Sequence, residues 1–371
     1  MNILYLTNTR FATTPYRDAS TRYRCYHPAE SLVDKQLVAD VEVLDVIDTD
    51  IIERYDIVVV LRPSYDRRIV NIANICKQKG ITLIADFDDL IFRPELAEES
   101  PLVKNGQATA EQINTVFQKH KEAISLFDKI TVSTQELVWH INEVNSDKPV
   151  LRLPNGLSQF WLKYNKHVLN RMAGSATPGT TSLTGDITYL PGTRSHDHDF
   201  QTVNHTLANS VNAVEGRRVN VIGALDLDET LFDHEKLIRG SWRDYFHLPE
   251  AIANSWLTIA PLACTKFNDC KSHIKFIESA AFGTPHISSN IQDVSQHNVE
   301  GLSINTVASE WQDKIDSYAD RDYYEHCSKS LMEYARANCM ASNSIDNFLE
   351  FAQQINQSEN NEYSISVSKA S

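Results

Sequence analysis

Residues 260–290 read APLACTKFNDCKSHIKFIESAAFGTPHISSN. An apolar strand runs to Pro261, a polar loop follows, and a helix begins for which Ser272 is a suitable N-cap. The helix stops at Gly283, and HISSN after Pro285 reads as the next strand. Strand, helix and strand in that order form a βαβ unit, the building block of a parallel sheet covered by helices. In the helix, Lys271, Lys275 and Glu278 fall at i, i+4 and i+7 on one face, beside an apolar stripe of Ile274, Ile277 and Ala281. A helix N-terminus offers free N–H groups and about half a positive charge, so two lysines next to it make an anion site suited to a diphosphate. Glu278, one turn deeper, is placed to accept hydrogen bonds from sugar-type hydroxyls. The plainer reading of the same residues is a surface Lys275–Glu278 pair worth a few tenths of a kcal/mol.

The same grammar extends outward in both directions. ITYLPG, VNVIGAL and SWLTIAPL are strands of the second half, and MNILYLTN, VEVLDVI, YDIVVVLRP, ITLIADFDD and KITVST are strands of the first. Helical spacing lies between them, as in Ile69, Ile72, Ala73 and Ile75 before Gly80. Between the halves, SDKPVLRLPNGLSQFW carries Pro149, Pro154 and Gly156, which break regular structure, and HVLNRMAGSATPGTTSLTGD is polar and rich in small residues. The chain therefore divides into an N-terminal Rossmann-like domain (1–152), an interdomain segment with a flexible loop (153–185), a second αβ domain (186–340), a last helix behind Ser344 (341–355) and a disordered tail (356–371). No repeat of solenoid period is present.

Composition limits the partners. Across 371 residues, 35 Lys and Arg against 49 Asp and Glu leave a formal charge of −14, which disfavours nucleic acid and anionic leaflets except at a local basic patch. At most a peripheral membrane contact is expected, because no apolar run approaches the ~18 residues of a spanning helix, and the N-terminus lacks the basic flank and apolar length of a secretory signal. A cytoplasmic protein is the expectation. The 6 cysteines include no CxxC pair and no finger-like spacing, which fits reduced thiols and argues against a zinc site.

Two acidic motifs stand at strand ends. Asp226, Asp228 and Thr230 in VIGALDLDETLFD match the nucleophile motif of haloacid-dehalogenase phosphatases in type and spacing, but no convincing acidic pair follows a strand after Lys271 to hold Mg²⁺. A solvated loop is the preferred reading. Asp86, Asp88 and Asp89 in LIADFDDLIF are three carboxylates in four residues, which a fold must solvate, pair with Arg or use. Asp89 could equally cap a helix beginning at LIF.

FIESAAFGTPHISS resembles the helix–Gly–Pro–strand signature of GT-B glycosyltransferases of the large group that includes family 4. LPNGL (153–157) resembles the interdomain segment of that group, and YLPGTRSHDHDF (189–200) its first donor-domain strand and loop. FNDCKSHIK, STRYR (20–24) and DFDDL (86–90) resemble a subgroup associated with bacterial surface polysaccharides. The resemblance implies two Rossmann-like domains facing across a cleft, with the last helix crossing back. It implies a nucleotide-sugar donor whose ribose is held by Glu278 and whose phosphates lie beside Gly192, Thr193, Arg194, Lys271, Ser272 and Lys275. The acceptor implied is a glycan or a lipid-linked sugar, with no metal and no cofactor beyond the nucleotide-sugar substrate. Arg22 and Arg24 would bind an anionic acceptor or sugar, or else pair with Asp86 to Asp89. If transfer inverts, Asp86 or Asp88 is the expected general base. One position departs from the group: eight residues before Glu278, where many retaining members carry a second Glu, stands Cys270. That departure speaks for the alternative of a non-catalytic binding subunit that has kept the fold.

Overall fold

The computed structural model describes residues 1–164, 184–192, 194–305, 307 and 309–354. Two six-stranded, all-parallel sheets carry the molecule. The first comprises β1 (Asn2–Thr7), β2 (Val38–Val43), β3 (Ile57–Leu61), β4 (Thr82–Phe87), β5 (Lys129–Val132) and β6 (Val150–Arg152), in the order β2-β1-β3-β4-β5-β6. The second comprises β7 (Asp186–Tyr189), β8 (Arg218–Ile222), β9 (Leu237–Gly240), β10 (Leu257–Ala260), β11 (His286–Ser289) and β12 (Leu302–Asn305), in the order β12-β11-β10-β7-β8-β9. The central strands β1, β3, β4, β5 and β10 are buried almost throughout, as parallel strands covered on both faces must be.

The expected strands are present, with differences at the edges. The stretch read as broken by prolines contains β6, which pairs with β5 from Val150 to Arg152 before Pro154 ends it. VEVLDVI marks β2 too late: the strand begins at Val38 and ends at Val43. No helix begins at Asp89, so it caps none: the next helical turn starts at Pro94 behind Arg93. The helix around Glu278 begins at Ile274, with His273 and not Ser272 at the capping position, and Lys271 lies in the loop before it. Both helices read as ending on glycine do so, with left-handed backbone at Gly80 (φ 68°) and Gly283 (φ 67°).

The last helix (Ile345–Gln353) leaves the second domain and packs on the first. Its Ile345, Phe348 and Ala352 enter the core formed by Ile3, Tyr5, Ile57 and Ile84. The buried Lys129 ammonium receives its C-terminal end, donating to the carbonyls of Phe351 (2.6 Å) and Ala352 (3.1 Å), a cation placed where the helix dipole is negative. Ser344 stands at the N-cap position without a side-chain capping bond. The chain thus crosses between domains twice, and the crossings touch: Leu157 bridges to Met340, and a Cβ on Gly156 would lie 2.4 Å from the Ala341 nitrogen. The flexible-loop and disordered-tail expectations fall on 165–183 and 355–371, outside the described residues. Among the described residues no helix is long and apolar enough to cross a membrane.

Candidate active site

A cleft of about 1060 Å³ lies between the sheets, at the carboxyl ends of their strands. The first domain supplies Arg10 after β1, Arg62 after β3 and the Asp88–Asp89 pair after β4. Opposite stand Gly192 and Arg194 after β7 and the segment from Lys271 to Glu278. Residues far apart in sequence are brought together here.

Glu278 is 7% exposed and accepts a 2.5 Å hydrogen bond from Tyr23 of the first domain. Burial raises its pKa, while the Tyr23 hydroxyl and the nearby Arg22 and Lys275 oppose the rise. Lys275, one turn earlier, stands half-buried over the Tyr189 ring, 4.9 Å from its centroid. Desolvation lowers its pKa to about 8, against the pull of Asp199. Among the described residues Lys275 makes no ion pair. Lys271 reaches across the cleft instead, 2.7 Å from Asp89. Ser272 accepts a hydrogen bond from the Asn155 side chain at 2.9 Å, and the Asn155 carbonyl meets His273 Nε2 at 2.8 Å. The interdomain segment is therefore stitched to the start of the Glu278 helix.

The loop after β7 is held by acids of its own domain. Arg194 is more than half exposed and pairs with Asp197 (3.2 Å) and Asp226 (3.1 Å). Behind it, His196 Nδ1 bonds the buried Asp199 at 2.8 Å, and burial drives the imidazole pKa down to about 4, so it is neutral at pH 7. Asp199 also accepts from the Ala263 N–H and from Asn268, fixing this loop to the one that precedes Lys271. Gly192 lines the cleft, and Thr193 lies outside the described residues.

On the opposite wall the three arginines differ in role. Asp86 is 2% exposed and its oxygens are occupied: Arg24 donates to both (2.8 and 2.6 Å) and Thr131 to one (2.6 Å). Neither Asp86 nor Arg24 lines the cleft. Arg24 also donates to the Leu153 carbonyl (2.6 Å) and Asn155 Oδ1 (3.1 Å), so this pair anchors the interdomain segment. Asp88 does line the cleft. It pairs with Arg62 at 2.5 Å, and although burial opposes ionisation, Arg62 holds its carboxyl below the usual range. Arg62 is shared with Asp89 (2.7 Å), which continues to Lys271 and makes an ionic chain across the cleft. Arg22 is buried, donating to the carbonyls of Tyr16 and Arg17 at 2.9 Å each, with its guanidinium 4.3 Å from the Tyr245 ring centroid.

Other predicted features are placed away from chemistry. Asp228 is spent capping its own short turn through Thr230, and Asp226 pairs with Arg194, which leaves the phosphatase motif a surface loop. Cys270 is buried, and desolvation pushes its thiol far above the ordinary value, so it is neither nucleophile nor anion. Tyr23, Arg62, Asn155 and His196 were not singled out from sequence. Tyr23, Asn155 and His196 lie within the quoted STRYR, LPNGL and YLPGTRSHDHDF stretches, so a motif signal existed for them and not for Arg62; in the structure Tyr23 sits in a π turn (Arg22–Tyr26) inside helix 19–34.

No protein-family model matches the sequence, and no curated protein sequence matches it. Solved structures do. Anabaena HepE in complex with UDP and glucose superposes with a TM-score of 0.64 at 12% identity, over 96% of this chain and 100% of that one. A glycosyltransferase of Rickettsia africae gives 0.59 at 12% identity, over 95% and 98%. The apo structure of OtsA gives 0.56 at 10% identity, over 96% and 100%. With its two parallel sheets facing across one cleft and a last helix that crosses back, the chain has the GT-B fold of these glycosyltransferases.

Proposed function

We propose that the protein transfers a sugar from a nucleotide-sugar to a hydroxyl of a glycan or lipid-linked acceptor, in the cytoplasm of a bacterium building a surface polysaccharide. The observation that carries this reading is the convergence on one cleft of a buried Glu278, an unpaired Lys275 and a helix N-terminus, facing an ionised Asp88 across the gap. The bound UDP and glucose of the HepE structure support it. In this reading Glu278 exchanges the Tyr23 hydroxyl for the ribose hydroxyls of the donor. Lys275 and Lys271, with Ser272, Gly192, Thr193 and Arg194 about them, meet the diphosphate. As the bond from the anomeric carbon to the diphosphate oxygen breaks, the charge developing there is met by fixed cations and helix N–H groups, which is electrostatic stabilisation without need of a metal. Asp88, kept ionised by Arg62, accepts the hydroxyl hydrogen of the acceptor and takes its proton as the new C–O bond forms. Asp86 has no free oxygen to offer.

Calorimetric titration with uridine, guanosine and adenosine diphosphates, followed by assay of nucleotide-sugars for diphosphate release, tests the proposal. Failure of all of them to bind would remove it. Cys270, in place of a carboxylate, favours the second reading, a binding subunit; that reading predicts diphosphate affinity with no turnover on any donor.

Lys275 gives a sharper expectation. Its ammonium is the partner of the diphosphate and titrates near 8 in the empty protein. It is charged below that pH and neutral above, so affinity should hold at pH 7 and fall as pH rises through 8 to 9. Lys275→Ala should weaken binding by about 1–3 kcal/mol and flatten the profile, while Lys275→Arg should keep affinity and abolish the pH dependence. An unchanged affinity in Lys275→Ala would take the diphosphate off this helix.

A further inference from the structure

The cleft is basic in an acidic protein. Among the described residues it is lined by eight Arg and Lys against four Asp and Glu, in a chain of net charge −14. The donor wall accounts for Lys271, Lys275 and Arg194, and Asp88 with Asp89 compensates Arg62. Four guanidinium groups remain. Arg10, Arg17, Arg22 and Arg243 line the cleft, and among the described residues none has a carboxylate within ion-pair distance. Asp18, the acid nearest Arg10, Arg17 and Arg22 in sequence, is turned to Thr9 (3.0 Å) and the Thr21 N–H (3.2 Å), and Asp244, next to Arg243, to the Phe246 N–H (3.0 Å) and His247 (2.8 Å). Arg22 is 6% exposed and its Nε has no hydrogen-bond partner, an arrangement costly for a buried cation unless a ligand completes it.

Two of the four stand against aromatic rings beside the cleft, and Arg243 directly follows the exposed Trp242 in the chain. Arg17 lies between Phe11 of the first domain and Trp242 of the second, 5.3 and 5.4 Å from their ring centroids, and Arg10 covers Phe11 at 4.8 Å. Trp242 is 48% and neighbouring Phe246 52% exposed. The donor reading above places the nucleoside diphosphate on the donor wall and calls on none of these four. Guanidinium forks match phosphate oxygens, and uncovered aromatic faces match hydrocarbon. Resting on the glycosyl-transfer reading above, we infer that the acceptor is a phosphate-bearing amphiphile, its phosphate held by Arg10, Arg17, Arg22 and Arg243 and its apolar chain leaving over Trp242 and Phe246.

The test uses the full chain, first titrated with uridine diphosphate, then, saturated with it, with decyl phosphate or with uncharged decyl glucoside below their micellar concentrations. Decyl phosphate should bind the loaded protein at least tenfold more tightly than decyl glucoside and weaken as salt is raised. Arg10→Ser with Arg243→Ser, which leaves the Arg17 bridge in place, should cut that affinity tenfold or more while melting temperature and nucleotide affinity stay unchanged. Should the double variant melt early, Arg243→Ser alone carries the comparison, with a smaller loss in the same direction. Equal affinity for the two alkyl ligands, no binding of decyl phosphate, displacement of the nucleotide by it, or no loss in the variants would each overturn the inference. Loss of nucleotide binding in the first titration is a different failure, and sinks the donor reading instead.

Discussion

Asp86→Asn should destabilise the protein by about 3–5 kcal/mol, the range for breaking a buried ion pair from one side. Arg24 is fully buried against Asp86, and the change leaves its charge without a counter-ion while the carbonyl of Leu153 and the amide of Asn155 remain beside it. The loss should appear as a lower denaturant midpoint with unchanged slope. It should extend to the interdomain segment, which Arg24 holds. Replacing both partners, with Arg24→Met added, should recover much of the loss, since the cost lies in the unpaired charge and not in the missing pair. A normal midpoint together with lost turnover would place Asp86 in the chemistry and refute the anchoring role.

Asp88→Asn should do the opposite. Its partner Arg62 keeps Asp89, so stability should change little, whereas removal of the proton-accepting carboxylate should lower turnover by ~10²–10⁴ with donor affinity retained. Turnover, donor affinity and melting temperature measured side by side decide the matter. Near-normal turnover in Asp88→Asn would assign the proton to another group. The contrast between two aspartates two residues apart comes from where β4 ends: alternation alone would put both on one face, but Asp86 still lies within the strand, aimed at Arg24, and Asp88 lies past its end, in the cleft.

The interior of both sheets was legible because covered parallel strands are continuous apolar runs. IVVVL and LTIA could hardly be anything else. The edges were not. The four edge strands, β2, β6, β9 and β12, are the ones displaced or unread, and each is half exposed along most of its length, with polar residues such as Asp40 and Arg239 within it. Short half-wet strands carry too little hydrophobic pattern to distinguish them from loops. The same division runs through the site. Lys275 and Glu278 follow from helix spacing and the GT-B resemblance. The partnership of Glu278 with Tyr23, 255 positions earlier, is a product of the domains meeting, and no local pattern announces it. The helix start was misplaced by one residue, from Ser272 to His273, because Asp293 and Asn155, partners from outside the segment, hold His273 at the capping position.

Because the outgoing chain at Gly156–Leu157 and the returning chain at Met340–Ala341 run side by side in contact, the two domains are joined along a single line. Two separated connections would lock the halves, and one alone would let them swivel. Paired crossings act as a hinge line, and rotation about that one axis is the relative motion of the halves that the two connections restrain least. That line lies at the absent side chain of Gly156, where even a methyl group would force the halves to settle at a different angle.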